Sequence, residues 1–165
     1  MRSRVLGVIG GSGIYEINGL QDAKWQTVDT PWGSPSDQIL TGNINGVKMA
    51  FLPRHGRGHT LSPSTVPYCA NIDALKRLGV SDLVSVSACG SFREEMAPGD
   101  FVIVDQFIDR TFAREKSFFG SGCVAHVSMA YPTCARLSKA CFDVANEAGI
   151  PVHSGGTYLA MEGPQ

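Results

Sequence analysis

The chain has 165 residues, of which 43% are hydrophobic and 18% charged, enough apolar material for one buried core and about one domain. Its 14 Lys and Arg face 15 Asp and Glu, a net charge of −1. No overall field therefore draws it to nucleic acid or to an anionic membrane, and any anion site must be local. No apolar run approaches the roughly 18 residues of a membrane span, and Met1-Arg2-Ser3-Arg4 leads into a strand without a signal-peptide cleavage pattern, so the cytoplasm is the expected location.

Val5-Leu6-Gly7-Val8-Ile9 reads as a buried first strand that ends in the glycine-rich turn Gly10-Gly11-Ser12-Gly13. A dinucleotide fingerprint would need a third glycine where Glu16 stands, and no Gly-Lys-Ser/Thr follows for a P-loop. What remains is a loop of backbone N–H groups with one hydroxyl, Ser12, suited to an anion. Residues 38 to 53 read as a hairpin about Asn43, Asn45 and Gly46. Its second strand delivers Pro53-Arg54-His55-Gly56-Arg57-Gly58-His59-Thr60, the most basic stretch of the chain. A helix follows, with Ser64 or Thr65 as its cap, Pro67 in its first turn, Tyr68, Ile72, Leu75 and Leu78 on its inner face, and Gly79 at its end.

Asp82 to Ala88 is a strand running into Cys89-Gly90-Ser91, and Phe101-Val102-Ile103-Val104 reads as a strand buried on both faces. The polar stretch from Asp109 to Ser128 reads as a long loop of the kind that carries function. A second helix has Pro132 near its start, Leu137, Cys141, Val144 and Ala148 inward, and Gly149 as its cap. Pro151 to Met161 is strand-like. Strands alternating with helices predict an α/β fold with a mostly parallel or mixed central sheet flanked by helices.

Three strand-end loops carry anion-compatible groups: Ser12 among glycines, Arg54 with His55, and Ser87-Ala88-Cys89-Gly90-Ser91. In an open α/β sheet such loops share one edge. Their convergence points to a single phosphate site in which Arg54, a permanent planar cation, dominates anion binding, while Arg57 and His59 shape the loop. Competing readings are weaker. His55 and His59 have the i, i+4 spacing of a helical zinc motif, but glycines stand between them and the glutamate is missing, so no metal is expected. Cys89 as a nucleophile would need His55 or His126 as base, and a pocket-lining thiol is the simpler reading. Glu94 and Glu95 beside Arg93 read as a solvated loop rather than a glycosidase pair. Five cysteines without a C-x-x-C pair argue against a disulfide framework and a zinc site, and Cys69 and Cys141 read as core residues.

The chain resembles the 5′-methylthioadenosine phosphorylase branch of the trimeric purine nucleoside phosphorylases. The resemblance rests on ordered motifs: Ile9-Gly10-Gly11-Ser12-Gly13, the run Asp29-Thr30-Pro31-Trp32-Gly33-Ser34-Pro35-Ser36-Asp37, Arg54-His55-Gly56-Arg57, Ala70-Asn71-Ile72 with Ala74-Leu75-Lys76, Ala88-Cys89-Gly90-Ser91, Pro98-Gly99-Asp100, Asp105 to Thr111, and Glu162-Gly163-Pro164. It implies phosphorolysis of 5′-methylthioadenosine to adenine and 5-methylthioribose 1-phosphate, with inorganic phosphate as co-substrate and no cofactor. It also implies phosphate contacts from Ser12, Arg54, His55, Ser87 and Ala88, and a base and ribose pocket lined by Ala88, Cys89 and Gly90. His126 would reach a neighbouring subunit's site in a homotrimer. Residues 1–165 would form the N-terminal part of a single nucleoside phosphorylase domain, because the family continues past Glu-Gly-Pro. The general acid for the leaving base and the residues that read the purine 6-position would lie beyond Gln165. A phosphorylase of 6-oxopurine nucleosides or methylthioinosine, and a non-catalytic phosphate- or nucleoside-binding fragment, are the alternatives.

Overall fold

The computed structural model describes residues 4–11 and 17–163. Contacts group the chain into two compact units, the first formed by residues up to Ala88 with Arg114–Phe118, the second by Cys89–Ala113 and the chain from Phe119 onward.

The first unit is built on a five-stranded mixed sheet. In chain order its strands are β1 (Val5–Gly10), β2 (Gln21–Gln26), β3 (Ile39–Ile44), β4 (Val47–Pro53) and β5 (Val80–Ser85), and across the sheet they lie in the order β2-β3-β4-β1-β5. β1 is parallel to both β4 and β5, with Val8 opposite Phe51 on one side and Val84 on the other. β3 and β4 form the expected hairpin, turning at Asn45 and Gly46, both with positive φ. Helix α1 (Tyr68–Arg77) covers the sheet. The core consists of Ile9, Ile39, Ala50, Leu52, Ala74, Leu75 and Val80.

Several sequence expectations need correction here. Strand β2 lies on a stretch with no apolar alternation, because as an edge strand it is exposed over its first four residues; its register shift and the left-handed Asp22 blunt that edge. The cap of α1 is Pro67, with no side-chain cap bond, and Ser64 and Thr65 lie in the turn before it. The buried face of α1 is Cys69, Ala70, Asn71, Ala74 and Leu75, while Ile72 is exposed. Spacings of three and four fit more than one arc of a helix, and here the small residues Ala70 and Ala74 let the backbone approach the sheet. β5 begins at Val80 and stops at Ser85, so Val86, Ser87 and Ala88 belong to the loop.

The second unit contains two parallel pairs, β6 (Phe101–Ile103) with β8 (Val152–Ser154) and β7 (Gln106–Arg110) with β9 (Thr157–Met161), and helix α2 (Ala135–Glu147). β7 runs through Asp109 and Arg110 into the stretch that the sequence suggests is loop, and the strand-like C-terminal stretch divides at Gly155-Gly156. Asp105 fills the break, since its Oδ1 accepts the Gly156 N–H at 3.1 Å. α2 ends in a Schellman turn at Gly149, where the Gly149 N–H reaches the Asn146 carbonyl and the Ile150 N–H reaches Ala145. Leu137 and Cys141 are only half-buried, Val144 and Ala148 are exposed, and Phe101 on β6 is 50% exposed. Two-stranded ribbons leave much of their apolar surface uncovered, so the expectations of an inward α2 face and a doubly buried β6 fail for one reason.

Gly7 marks where β1 runs tightest. A Cβ there would stand 2.7 Å from Val80 Cγ1 and 3.0 Å from Leu83 Cδ1. Gly7→Ala is expected to destabilise the protein by about 1–3 kcal/mol through overpacking, read as a lower urea midpoint with an unchanged slope.

Candidate active site

Because β4, β1 and β5 are adjacent and parallel, the loops that follow them emerge at one edge of the sheet. The backbone continues the pairing there: the Arg54 N–H donates to the Gly10 carbonyl and the Val86 N–H to the Ile9 carbonyl, both at 2.8 Å. Over this edge reaches the Arg54 side chain. Its Nη1 donates to the Val86 carbonyl at 3.2 Å and to Ser87 Oγ at 2.9 Å, and its Nε donates to His55 Nε2 at 3.3 Å. Among the described residues these contacts occupy the Nε hydrogen and both Nη1 hydrogens, leaving the Nη2 pair of the guanidinium for an anion. Ser87 Oγ accepts from Arg54, which leaves its own hydrogen to point elsewhere.

His55 is buried, 8% exposed, with Nδ1 2.8 Å from the Leu61 carbonyl oxygen. A carbonyl can only accept, so Nδ1 carries the hydrogen and Nε2 offers its lone pair to Arg54. Both ring nitrogens thus serve to hold the loop and aim the guanidinium. The His59 ring stacks on His55 with centroids 4.5 Å apart. His59 itself sits at φ 56°, a left-handed conformation of the kind that tight functional loops hold under strain.

Arg57 turns away from this edge. Its backbone N–H donates to Asp37 Oδ2 at 2.6 Å, its Nε to the same oxygen at 3.1 Å and its Nη2 to Oδ1 at 2.9 Å, while the guanidinium carbon lies 4.3 Å over the Trp25 ring. Burial pushes the Asp37 carboxyl upward, but the hydrogen bonds from Arg57, with one from the Gln38 N–H, outweigh it and hold the group below the ordinary aspartate value.

Of the residues singled out in the sequence, Arg54, His55 and Ser87 come together directly, and Ala88 follows exposed on the same loop. Ser12 lies outside the described residues. Cys89, Gly90 and His126 are exposed residues of the second unit. Glu95 is engaged by Arg93 Nε at 2.6 Å in an exposed ion pair. All five cysteines are unpaired, Cys69 being buried, and among the described residues no three His, Cys, Asp or Glu side chains gather as a metal site requires. Sequence reasoning missed the Val86 carbonyl, because it placed Val86 inside a strand, and missed Asp37 as the partner of Arg57.

A sequence profile described as the phosphorylase superfamily matches residues 5–165. The chain belongs to the phosphorylase superfamily. Among similar superfamily members, it is 77% identical to the S-methyl-5′-thioadenosine phosphorylase of Cereibacter sphaeroides over 98% of this chain and 56% of that protein. It is 65% identical to the enzyme of the same name from Rhodospirillum rubrum, over 99% of this chain and 56% of that one. A crystal structure of a methylthioadenosine phosphorylase from an Antarctic soil metagenomic library matches all of this chain and 58% of its own, with 48% identity and a TM-score of 0.94. The apo enzyme of Schistosoma mansoni matches at 36% identity and a TM-score of 0.93, over 99% of this chain and 66% of its own. The chain therefore spans a little over half the length of the curated relatives it matches, and shares with the solved members the mixed α/β fold.

The Asp37 carboxyl titrates lower in the folded chain than in the unfolded one, so its contribution to stability is full above the unfolded value and is lost as pH falls through the folded value, below 3.8. Urea unfolding of Asp37→Asn should show a deficit against the parent at about pH 7 that narrows progressively as the pH falls below the ordinary aspartate value.

Proposed function

We propose that this chain supplies the phosphate-binding part of a pentosyltransferase that cleaves 5′-methylthioadenosine with inorganic phosphate, releasing adenine and 5-methylthioribose 1-phosphate in purine and methionine salvage. The observation that carries the reading is the Arg54 guanidinium, tied to His55, Val86 and Ser87 with its Nη2 face left for an anion at the carboxyl edge of three parallel strands. The names of relatives up to 77% identical support the substrate.

In this reading Arg54, Ser87 and the Ala88 backbone bind phosphate together with Ser12, and His55 acts through Arg54. A phosphate oxygen attacks the ribose anomeric carbon as the bond to the purine nitrogen breaks and its electron pair leaves with the base. The transition state carries positive charge on the sugar, which a phosphate dianion held beneath it stabilises. The base takes its proton from a general acid outside this chain. No organic cofactor or metal enters these steps. Cys89 and Gly90 line the base and ribose pocket, and residues 1–165 form the N-terminal part of one domain, in keeping with a profile match that runs unbroken from 5 to 165. The protein acts as a cytoplasmic homotrimer in which His126 serves a neighbouring subunit's site. Among the described residues no helix is long and apolar enough to cross a membrane.

Arg54→Ala in the full-length protein should weaken apparent phosphate affinity about ten- to a hundredfold, the loss of a charge-assisted hydrogen bond. Unchanged phosphate saturation in steady-state kinetics would remove Arg54 from the site. His126→Ala should lower kcat/KM for the nucleoside, and a full rate would refute its reach into a second site. Assays with methylthioadenosine and inosine, each with and without phosphate, decide between 6-aminopurine and 6-oxopurine substrates and detect a protein that binds without turnover.

A further inference from the structure

The run Asp29 to Asp37 has no place in the chemistry above, yet its last two residues are anchored on both sides. Asn71 on α1, only 2% exposed, accepts the Ser36 N–H on Oδ1 at 2.7 Å and donates from Nδ2 to Ser36 Oγ at 2.8 Å. A buried side-chain amide that both accepts from and donates to one residue fixes the position and the orientation of the backbone it grips. The next residue, Asp37, takes four hydrogen bonds from Arg57, one from the backbone N–H and two that share the Nε hydrogen between both carboxylate oxygens. The Arg57 fork is held in its plane by the Trp25 ring on one face and by Gln38 Oε1 at 3.1 Å from Nη2. The two segments also touch through their backbones, since a Cβ on Gly56 would stand 3.1 Å from the Ser36 carbonyl oxygen.

We infer that Asp37 and Arg57 are positioning residues for phosphate, forming a clamp that locks the Arg54-His55 loop to the Asn71-anchored segment and so sets where the Arg54 guanidinium lies. The inference rests on the reading of Arg54 as the phosphate ligand. The loop needs such a lock because Gly56 and Gly58, with φ 70° and 83°, and left-handed His59 leave its path undetermined by backbone preference. Arg54 precedes Arg57 by one tight turn, in which the Gly56 N–H meets the Pro53 carbonyl at 3.1 Å. Releasing Arg57 frees that turn. The donors of Arg54 would then sample positions off the strand ends, and an anion would have to order them at the cost of affinity. Arg57 cannot be replaced by lysine without loss, since an ammonium has neither the fork that meets two carboxylate oxygens nor the plane that stacks on Trp25.

The test uses the full-length protein with Asp37→Asn, Arg57→Lys, Arg54→Ala and the double variant Arg54→Ala with Asp37→Asn. Phosphate KM, nucleoside KM, kcat and Tm are measured, and inorganic phosphate is titrated by calorimetry. Asp37→Asn should raise the phosphate KM and Kd about tenfold while kcat and the nucleoside KM stay within about twofold. Arg57→Lys should fall between it and the parent. In the double variant the Asp37 change should add nothing to the Arg54 loss, because both act on one guanidinium. A lowered Tm with phosphate KM and Kd unchanged in both single variants, while Arg54→Ala still weakens phosphate, overturns the clamp and leaves the Arg54 reading standing. If Arg54→Ala leaves phosphate binding intact, the underlying reading falls and the clamp with it. Should Asp37→Asn fail to fold, Arg57→Lys, which keeps the charge, carries the same comparison.

Discussion

The parallel register of β4, β1 and β5 is the constraint on which the site depends. Parallel neighbours end at the same edge, and the bonds from Arg54 to Gly10 and from Val86 to Ile9 keep the three chains level for one residue past the strands. Only with the chains level can one guanidinium span from the end of β4, past β1, to the loop after β5. A small anion lodged there would lie outside the carboxyl ends of the strands, where open α/β sheets hold their ligands.

The charge economy of the chain follows from the same geometry. With a net charge of −1, any attraction for a small anion cannot come from a general field and must come from a few aimed donors. Arg54 and Arg57 stand three positions apart and have identical chemistry, yet one is directed at the strand ends and the other is consumed by Asp37 and Trp25. His55 joins them: its lone pair orients Arg54 while its N–H closes the loop on Leu61. A cation that is oriented before an anion arrives loses less freedom on binding it, which is the physical value of surrounding one ligand with so many supports.

The second unit is held by different means. His153 Nε2 meets Asp100 Oδ2 at 2.8 Å, and this contact with the Ala97 N–H keeps the Asp100 carboxyl below its ordinary value. The Glu162 carboxylate accepts the N–H groups of Phe112 and Ala113. Polar ties of this kind stand where apolar burial is thin, as the exposed Val144 and half-exposed Phe101 show.

From sequence alone the α/β class was legible, because apolar runs of strand length broken by glycine and interleaved with helical spacing admit few other folds. So were the residue types of an anion site, since arginine, histidine and hydroxyls beside glycines at strand ends have few other common uses. Strand β2 was not legible, its pairing being made by backbone groups under polar side chains, nor was the buried arc of α1, which turns on Asn71 gripping Ser36. The sequence pointed to Arg54 rather than Arg57 as the anion-facing arginine, but what holds each guanidinium was beyond it. That depends on partners 20 residues away for Arg57 and 33 residues away for Arg54, and side-chain direction in a loop is set by what the fold brings alongside it. The basic loop itself specified the donors and set Arg54 apart from Arg57; only the tertiary contacts supplied the partners, Val86 and Ser87 for Arg54, Asp37 and Trp25 for Arg57.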